Sequence, residues 1–257
     1  MPSPIETVAA LIRDAKRIVV FTGAGISAES GIPTFRDPMT GIWAHHDPEK
    51  LETADAFRKD AALVWGWYMW RRAHVAGAVP NAAHLAIAQL ARVREVTVVT
   101  QNIDDLHARA GSTDVIHLHG SLAQPKCFAC HRTPAALPFE NPVTSEGLRI
   151  EPPRCPRCNG KLRPGVVWFG ENLPAAAWKR AVLAAKECDV LLSIGTSGVV
   201  FPAAEIPIVA HHAGACVVHI NPAQVAQPSS REFCLIGRAA EHVPALVSLL
   251  GPADLPS

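Results

Sequence analysis

At 257 residues the chain matches one large domain, or one domain carrying an insert, at about 150 residues per domain, and its 49% hydrophobic content is enough for a substantial core. A formal net charge of +1 offers no positive field to a nucleic-acid backbone, so direct nucleic-acid binding is not expected. The longest apolar runs fall far short of the roughly 18 residues that span a bilayer, and Met1-Pro2-Ser3-Pro4-Ile5-Glu6 lacks a basic leader; the expectation is a cytoplasmic protein with no membrane partner.

The first element is a helix. Ser3 is placed to cap it, Pro4 stands at the first helical position, Glu6 follows three after the cap, and Val8, Leu11, Ile12 and Ala15 recur at helical spacing. Arg17 to Thr22 then runs continuously apolar, as strands covered on both faces do, and ends in Gly23-Ala24-Gly25-Ile26-Ser27-Ala28. Residues 38–75 carry a helical pattern from Asp60 to His74 and read as a helical insertion. Three helix-then-strand units follow: Ala82 to Leu90 before Glu95 to Thr100, Ala175 to Lys186 before Asp189 to Ile194, and Ala203 to Ala213 before Cys216 to Ile220. That alternation predicts an α/β fold with a parallel, doubly wound sheet.

Residues 125–164 break the rhythm, with eight of the 22 prolines, little apolar periodicity and two close cysteine pairs. Cys127-x2-Cys130 and Cys155-x2-Cys158, 24 residues apart, have the spacing of a structural zinc ribbon and supply a full tetrahedral thiolate set. Four ligands leave no open coordination position, so the metal would staple the segment and would not activate water. His131 is a weaker competing ligand, and Cys188, Cys216 and Cys234 sit among apolar neighbours as small buried residues.

Three clusters carry chemistry. Gly23-x-Gly25-x-x-Ala28 fits a dinucleotide fingerprint, in which missing side chains let backbone amides approach a pyrophosphate, although a plain chain-reversing turn would read the same way. A hydride-transferring dehydrogenase would continue into a long helix, but Gly31 and Pro33 stop it early. Thr100-Gln101-Asn102-Ile103-Asp104-Asp105-Leu106-His107 stands at the carboxyl end of a strand, where ligands of open α/β sheets bind; capping of the next helix is the plainer use of Asn102 and Asp104. In Val115-Ile116-His117-Leu118-His119-Gly120 alternation puts both histidines on one face, and two imidazoles ending a strand favour a base titrating near neutrality.

Taken together, Gly23 to Ser27, Pro33-Thr34-Phe35-Arg36-Asp37, Gln101 to Asp104, His117 to Gly120, the cysteine pairs, Gly165-Val166-Val167-Trp168-Phe169-Gly170-Glu171, Gly195-Thr196-Ser197 and Asn221 resemble the sirtuins, in order and spacing, from about residue 5 to 250. The resemblance implies a Rossmann-like NAD-binding domain over residues 1–37, 76–120 and 165–257, the helical insertion over 38–75 and a smaller zinc-ribbon domain over 121–164. It implies an NAD-dependent protein-lysine deacylase that releases nicotinamide, free lysine and O-acyl-ADP-ribose, with NAD as cosubstrate and acylated-lysine proteins or peptides as partners. Gly23, Ala24, Phe35 and Arg36 would close over NAD; Gln101, Asn102 and Asp104 would line its ribose and nicotinamide; Gly195, Thr196, Ser197, Asn221 and Ala239 would hold the adenosine end. His119 would be the general base, with Asn102 and Asp104 beside it in the catalytic set. Val167 to Glu171 would take the substrate backbone as an added strand, Phe169 flanking the lysine.

Tyr68 and Arg71, three apart on one helix face, resemble the Y-x-x-R signature of class III sirtuins, which implies a preference for succinyl or malonyl lysine over acetyl. That class commonly carries a small residue where this chain has Glu52. A glutamate there either points away or pairs with Arg71 and blunts the preference. Mono-ADP-ribosyl transfer and non-catalytic sensing of NAD or ADP-ribose are the competing readings.

Overall fold

The computed structural model describes residues 2–34, 47–135, 149–225 and 229–250. In chain order the elements are α1 (Pro4–Asp14), β1 (Arg17–Thr22), α2 (Ala24–Ala28), α3 (Pro48–Leu51), α4 (Ala54–Lys59), α5 (Ala61–Gly77), α6 (Ala82–Leu90), β2 (Glu95–Thr100), α7 (Leu106–Arg109), β3 (Val115–His117) and β4 (Gly120–Cys127). There follow β5 (Leu162–Val166), α8 (Ala175–Glu187), β6 (Val190–Ile194), α9 (Glu205–Ala213), β7 (Cys216–Asn221), β8 (Glu232–Ile236) and α10 (Ala239–Ser248). The opening capping box forms: Glu6 N–H donates to Ser3 Oγ and Ser3 N–H to Glu6 Oε2.

Six strands make one sheet in the order β3-β2-β1-β6-β7-β8, every pairing parallel. From β1 the chain winds outward one way to β3, returns to the middle at β6 and winds the other way to β8, so the strand order reverses between β1 and β6. β1 is buried from Ile18 to Thr22 and β6 throughout, as an apolar run flanked by helices on both faces requires. One face packs against α1, α6 and α10 through residues such as Ile12, Ile87 and Leu246; the other packs against α8 and α9 through Ala181, Ala185 and Ile206.

Two elements of this body have no counterpart in the pattern reading. β8 is short and only partly buried at the sheet edge, and α10 holds Pro244 within its length, a residue that argues against a helix in sequence. Val243, Leu246, Val247 and Leu250 still bury one helix face against the core.

The cysteine-bearing segment forms the antiparallel ribbon β4-β5, and this ribbon has no core of its own. Cys127, Cys155 and Leu162 pack onto Trp65 and Met69 of α5. Around the same helix, Val64, Trp67, Tyr68 and Trp70 join Leu122, Val166 and Trp168 in a second cluster. A helix apolar on all sides has to be buried on all sides, and α5 is buried almost without interruption from Ala61 to Trp70. α5 is thus the surface on which the ribbon rests. Among the described residues no helix is long and apolar enough to cross a membrane.

Candidate active site

The two glycine turns meet where the strand order reverses. Gly23 N–H donates to Ile194 O (3.0 Å), Gly25 N–H to Gly195 O (2.8 Å) and Gly195 N–H to Ile220 O (3.0 Å), which ties together the carboxyl ends of β1, β6 and β7. Their contact leaves no room for a side chain. A Cβ on Gly25 would lie 2.7 Å from Gly195 Cα, and one on Gly195, whose φ is +60°, would lie 2.4 Å from Ile26 N. α2 then stops after five residues, as Gly31 and Pro33 foretell.

Across this turn Gln101 Nε2 donates to Thr196 Oγ1 at 2.9 Å, bringing the ends of β2 and β6 together. Asn102 Nδ2 donates to Gly23 O and to Ser27 Oγ, both at 3.1 Å, and Ser27 Oγ donates to Asp104 Oδ2 at 3.0 Å. Asp104 also accepts from Leu106 N–H at the start of α7 from the position before the N-cap, Asp105, so one of its oxygens steadies the helix start while the other serves the cluster. Burial pushes the Asp104 carboxyl above its ordinary range, against the pull of those two hydrogen bonds.

His119 lies beside them, half-buried. Its Nδ1 is 2.8 Å from Gln101 O; a carbonyl only accepts, so Nδ1 carries the hydrogen and Nε2 keeps its lone pair. Desolvation lowers this imidazole below its ordinary value, with the carbonyl bond opposing, which leaves a neutral base of fixed orientation at pH 7. His117 shares its face, as alternation predicts, and is held 3.3 Å from Asn102 O.

Gly120 follows with φ +75°, and a Cβ there would meet Gly165 O at 2.1 Å. The close β4-β5 approach sets Val167 N–H on His119 O (2.8 Å), and Phe169 N–H reaches Glu52 O (2.9 Å). The segment Val167 to Phe169 therefore runs between His119 and Glu52, with Phe169 47% exposed. Arg163 fastens it from beneath: its guanidinium is ion-paired with Glu171, donates to Val166 O and stacks 3.3 Å from the Trp168 ring centroid, and Glu171 accepts from Trp168 N–H (3.0 Å).

On α5, Tyr68 and Arg71 share a face as expected, but Arg71 is ion-paired with Glu52. Of the two outcomes open to Glu52, the structure takes pairing. Pairing is the outcome under which a succinyl and malonyl preference would be blunted.

Four sulfurs converge at the base of the ribbon. Sγ atoms of Cys127, Cys130, Cys155 and Cys158 all lie within 4.8 Å of one another, with Cys127–Cys158 at 3.4 Å and Cys130–Cys155 at 3.9 Å. A tetrahedron with Zn–S of about 2.3 Å puts sulfurs about 3.8 Å apart, so the donor set fits a closed structural zinc site. His131 and Asn159, the residues after each pair, both take φ +59°, the left-handed turn that folds each C-x2-C around its centre. His131 is outside the ligand group.

Gly23, Gln101, Asn102, Asp104, His119, Gly195 and Thr196 thus come together at one place, Ala24 following Gly23 into α2 and half-buried Ser197 following Thr196. Asn221 and Ala239 stand one strand further along, where Gly237 N–H bonds Asn221 O and Glu29 caps α10 by accepting from Ala240 N–H. Phe35 and Arg36 lie outside the described residues. The supports beneath the site carry no assigned role in the sequence reading. Thr22 and Thr100, in register on β1 and β2, hydrogen-bond at 2.8 Å; Thr100 Oγ1 also accepts from Asn102 N–H, and Thr22 Oγ1 is 3.1 Å from His107 Nε2. Their one legible signal is a threonine closing each of two apolar strands.

A model of the Sir2 family matches residues 23–202. The chain belongs to the Sir2 family. Among curated relatives it is 57% identical over 254 residues to an "NAD-dependent protein deacylase" of Pseudomonas putida, spanning 98% of this chain and 97% of that one. It is 58% identical over 245 residues to "NAD-dependent protein deacylase 1" of Pseudomonas aeruginosa, spanning 95% and 98%. Among solved structures, a Sir2 homologue in complex with NAD superposes with a TM-score of 0.85 at 42% identity, covering 97% of this chain and 94% of that one. A Sir2 protein bound to a myristoylated histone peptide gives 0.72 at 34% identity, covering 97% of each. The six-stranded parallel sheet and the four-cysteine cluster of this chain have the layout expected of a Sir2 member.

Proposed function

We propose that this protein is an NAD-dependent protein-lysine deacylase, acting on acylated lysines of proteins or peptides to give nicotinamide, free lysine and O-acyl-ADP-ribose. The observation that carries the reading is the His119 imidazole, locked through Nδ1 to Gln101 O at the meeting of two glycine turns, with Nε2 available as a base. The deacylase names of close relatives and the NAD bound in a solved homologue support it.

In this reading NAD supplies the labile bond between ribose and a cationic pyridine. The chain's own residues bind, orient and keep bulk water from the ribose while the acyl oxygen takes the place of nicotinamide; one water, consumed later, completes the release of lysine and the ester. The side-chain-free Gly23–Gly25 turn at the start of α2 would let the pyrophosphate approach closely, its own glycine amides being bonded to Ile194 O and Gly195 O; Gln101, Asn102 and Asp104 would line the ribose and nicotinamide; Thr196, Ser197, Asn221 and Ala239 would hold the adenosine end. His119 Nε2 takes the proton of a ribose hydroxyl. Val167 to Phe169 aligns the substrate backbone, and Tyr68, Arg71 and Glu52 close the acyl end. The sheet body is the NAD-binding domain, residues 38–75 the insertion and 121–164 the zinc-bearing domain, where Cys127, Cys130, Cys155 and Cys158 hold one structural zinc.

The test is incubation with NAD and matched acetyl, malonyl, succinyl and glutaryl peptides, with nicotinamide and O-acyl-ADP-ribose quantified by mass spectrometry. Stoichiometric release of both is expected. ADP-ribosylated protein in place of the ester would mean a transferase, and NAD binding without nicotinamide release would mean a sensor.

A further inference from the structure

We infer that Glu52 sets the acyl range of this enzyme: it is a built-in carboxylate partner for Arg71, so the pocket favours neutral acyl groups and disfavours malonyl, succinyl and glutaryl lysine. The inference rests on the deacylase reading and on Tyr68 and Arg71 standing at the acyl end.

The pair is internal to the fold. The Glu52 side chain is 6% exposed and that of Arg71 16%, and the same Glu52 oxygen that binds Arg71 lies 3.5 Å from Trp67 Nε1. Its backbone is held on two sides: Glu52 O accepts Phe169 N–H, and Thr53 next to it caps α4 by accepting from Ala56 N–H at 3.0 Å. With the backbone fixed at both places, the carboxylate can leave Arg71 only by rotating its own side chain within a buried site. The guanidinium itself is confined, 5.7 Å from the Trp67 ring and 5.9 Å from the Tyr68 ring.

Tyr68 is committed as well. Its hydroxyl oxygen accepts from Trp168 Nε1 at 3.0 Å, and burial, followed by the negative charge of Glu52, raises its pKa well above the ordinary tyrosine value, so it stays protonated. A second carboxylate entering here would set two negative groups against one guanidinium in a site walled by tryptophans, and would have to displace Glu52 or be tolerated beside it. A neutral acyl group leaves the pair intact. Its only demand is apolar space.

The experiment compares kcat/KM for succinyl and acetyl versions of one peptide in wild type, E52Q, E52A and E52A/R71M, following nicotinamide release. For wild type the succinyl-to-acetyl ratio should lie below one. E52A should raise that ratio by about ten- to a hundredfold by freeing the arginine fork, and E52Q, which keeps the shape and removes the charge, by severalfold. In E52A/R71M the gain should vanish, which a loosened fold alone would not produce. A wild-type ratio above one overturns the inference with no variant needed, and so does an unchanged ratio in both single variants. No nicotinamide release from any peptide would bring down the deacylase reading, and this inference with it.

Discussion

The six-stranded sheet and the β4-β5 ribbon solve the problem of staying folded in different ways. The sheet buries both faces under helices, so each apolar residue of β1 or β6 removes hydrocarbon from water at about 25 cal/mol per Å² and no covalent aid is needed. The ribbon borrows Trp65 and Met69 from α5 and gathers four thiols at one point. A parallel sheet is long enough to make a core, whereas a proline-rich strip is not. The active site lies along the joint, with His119 bonded to the sheet loop through Nδ1 and to the strip through its carbonyl oxygen.

Metal removal should break this contrast most strongly. Stripping zinc with a chelator at neutral pH is expected to abolish deacylation and to expose amides between residues 121 and 135 and between 149 and 164 to fast hydrogen exchange, while β1, β2 and β6 stay protected; structural zinc contributes about 10 kcal/mol or more in small modules. Equal loss of protection in both regions would mean that sheet and ribbon fold as one unit.

At the joint itself, His119→Ala should lower kcat by about a hundredfold to ten-thousandfold with little change in thermal midpoint. Because desolvation lowers the His119 pKa, the wild-type rate should hold down to about pH 6.5, the ordinary histidine value, and fall only as pH drops through the folded value below it. A product rate untouched by the substitution removes His119 from the mechanism.

Within the sheet, Gly195→Ala should cost about 2 kcal/mol or more in urea unfolding, from a left-handed backbone combined with a clash on Ile26. Gly77→Ala, with nothing within 4 Å of the added Cβ, is the matched control and should be near neutral or mildly stabilising.

The gentlest probe is acid. His84 and His107 meet edge to face at 4.8 Å under the β2 end, with pKa values lowered by burial to about 4 and about 3, and neither ring nitrogen of His84 has a hydrogen-bond partner among the described residues. Both are neutral in the fold but bind protons in the unfolded chain below about 6.5, so the stability loss is absent above that pH and grows as pH falls. The slope should approach about 1.4 kcal/mol per pH unit per histidine, down to the folded values. Urea midpoints between about pH 7 and pH 5 measure it, and His84→Leu should remove about half the slope.

Strands such as Arg17 to Thr22 and the helix after Ser3 were legible because their signal is local: an unbroken apolar run, or a cap at fixed offset from a hydrophobic face. The cysteine quartet was legible for the same reason. β8 and α10 were not, since a short edge strand has weak periodicity and Pro244 contradicts a helix that only tertiary burial sustains. Nor were the hydrogen-bonding roles of Ser27, Thr22, Thr100 and His107. Their importance comes from partners far along the chain, such as Asp104 for Ser27.

From its residues alone this protein's sheet, its glycine turns and its four-cysteine cluster could be derived, because each depends on backbone conformation or ligand chemistry encoded within a few positions. Whether Glu52 faced Arg71 or turned from it depended on how α5 docks beside Phe169. That orientation belongs to no stretch of sequence: it is set where three distant segments are pressed together and a buried charge must find its opposite.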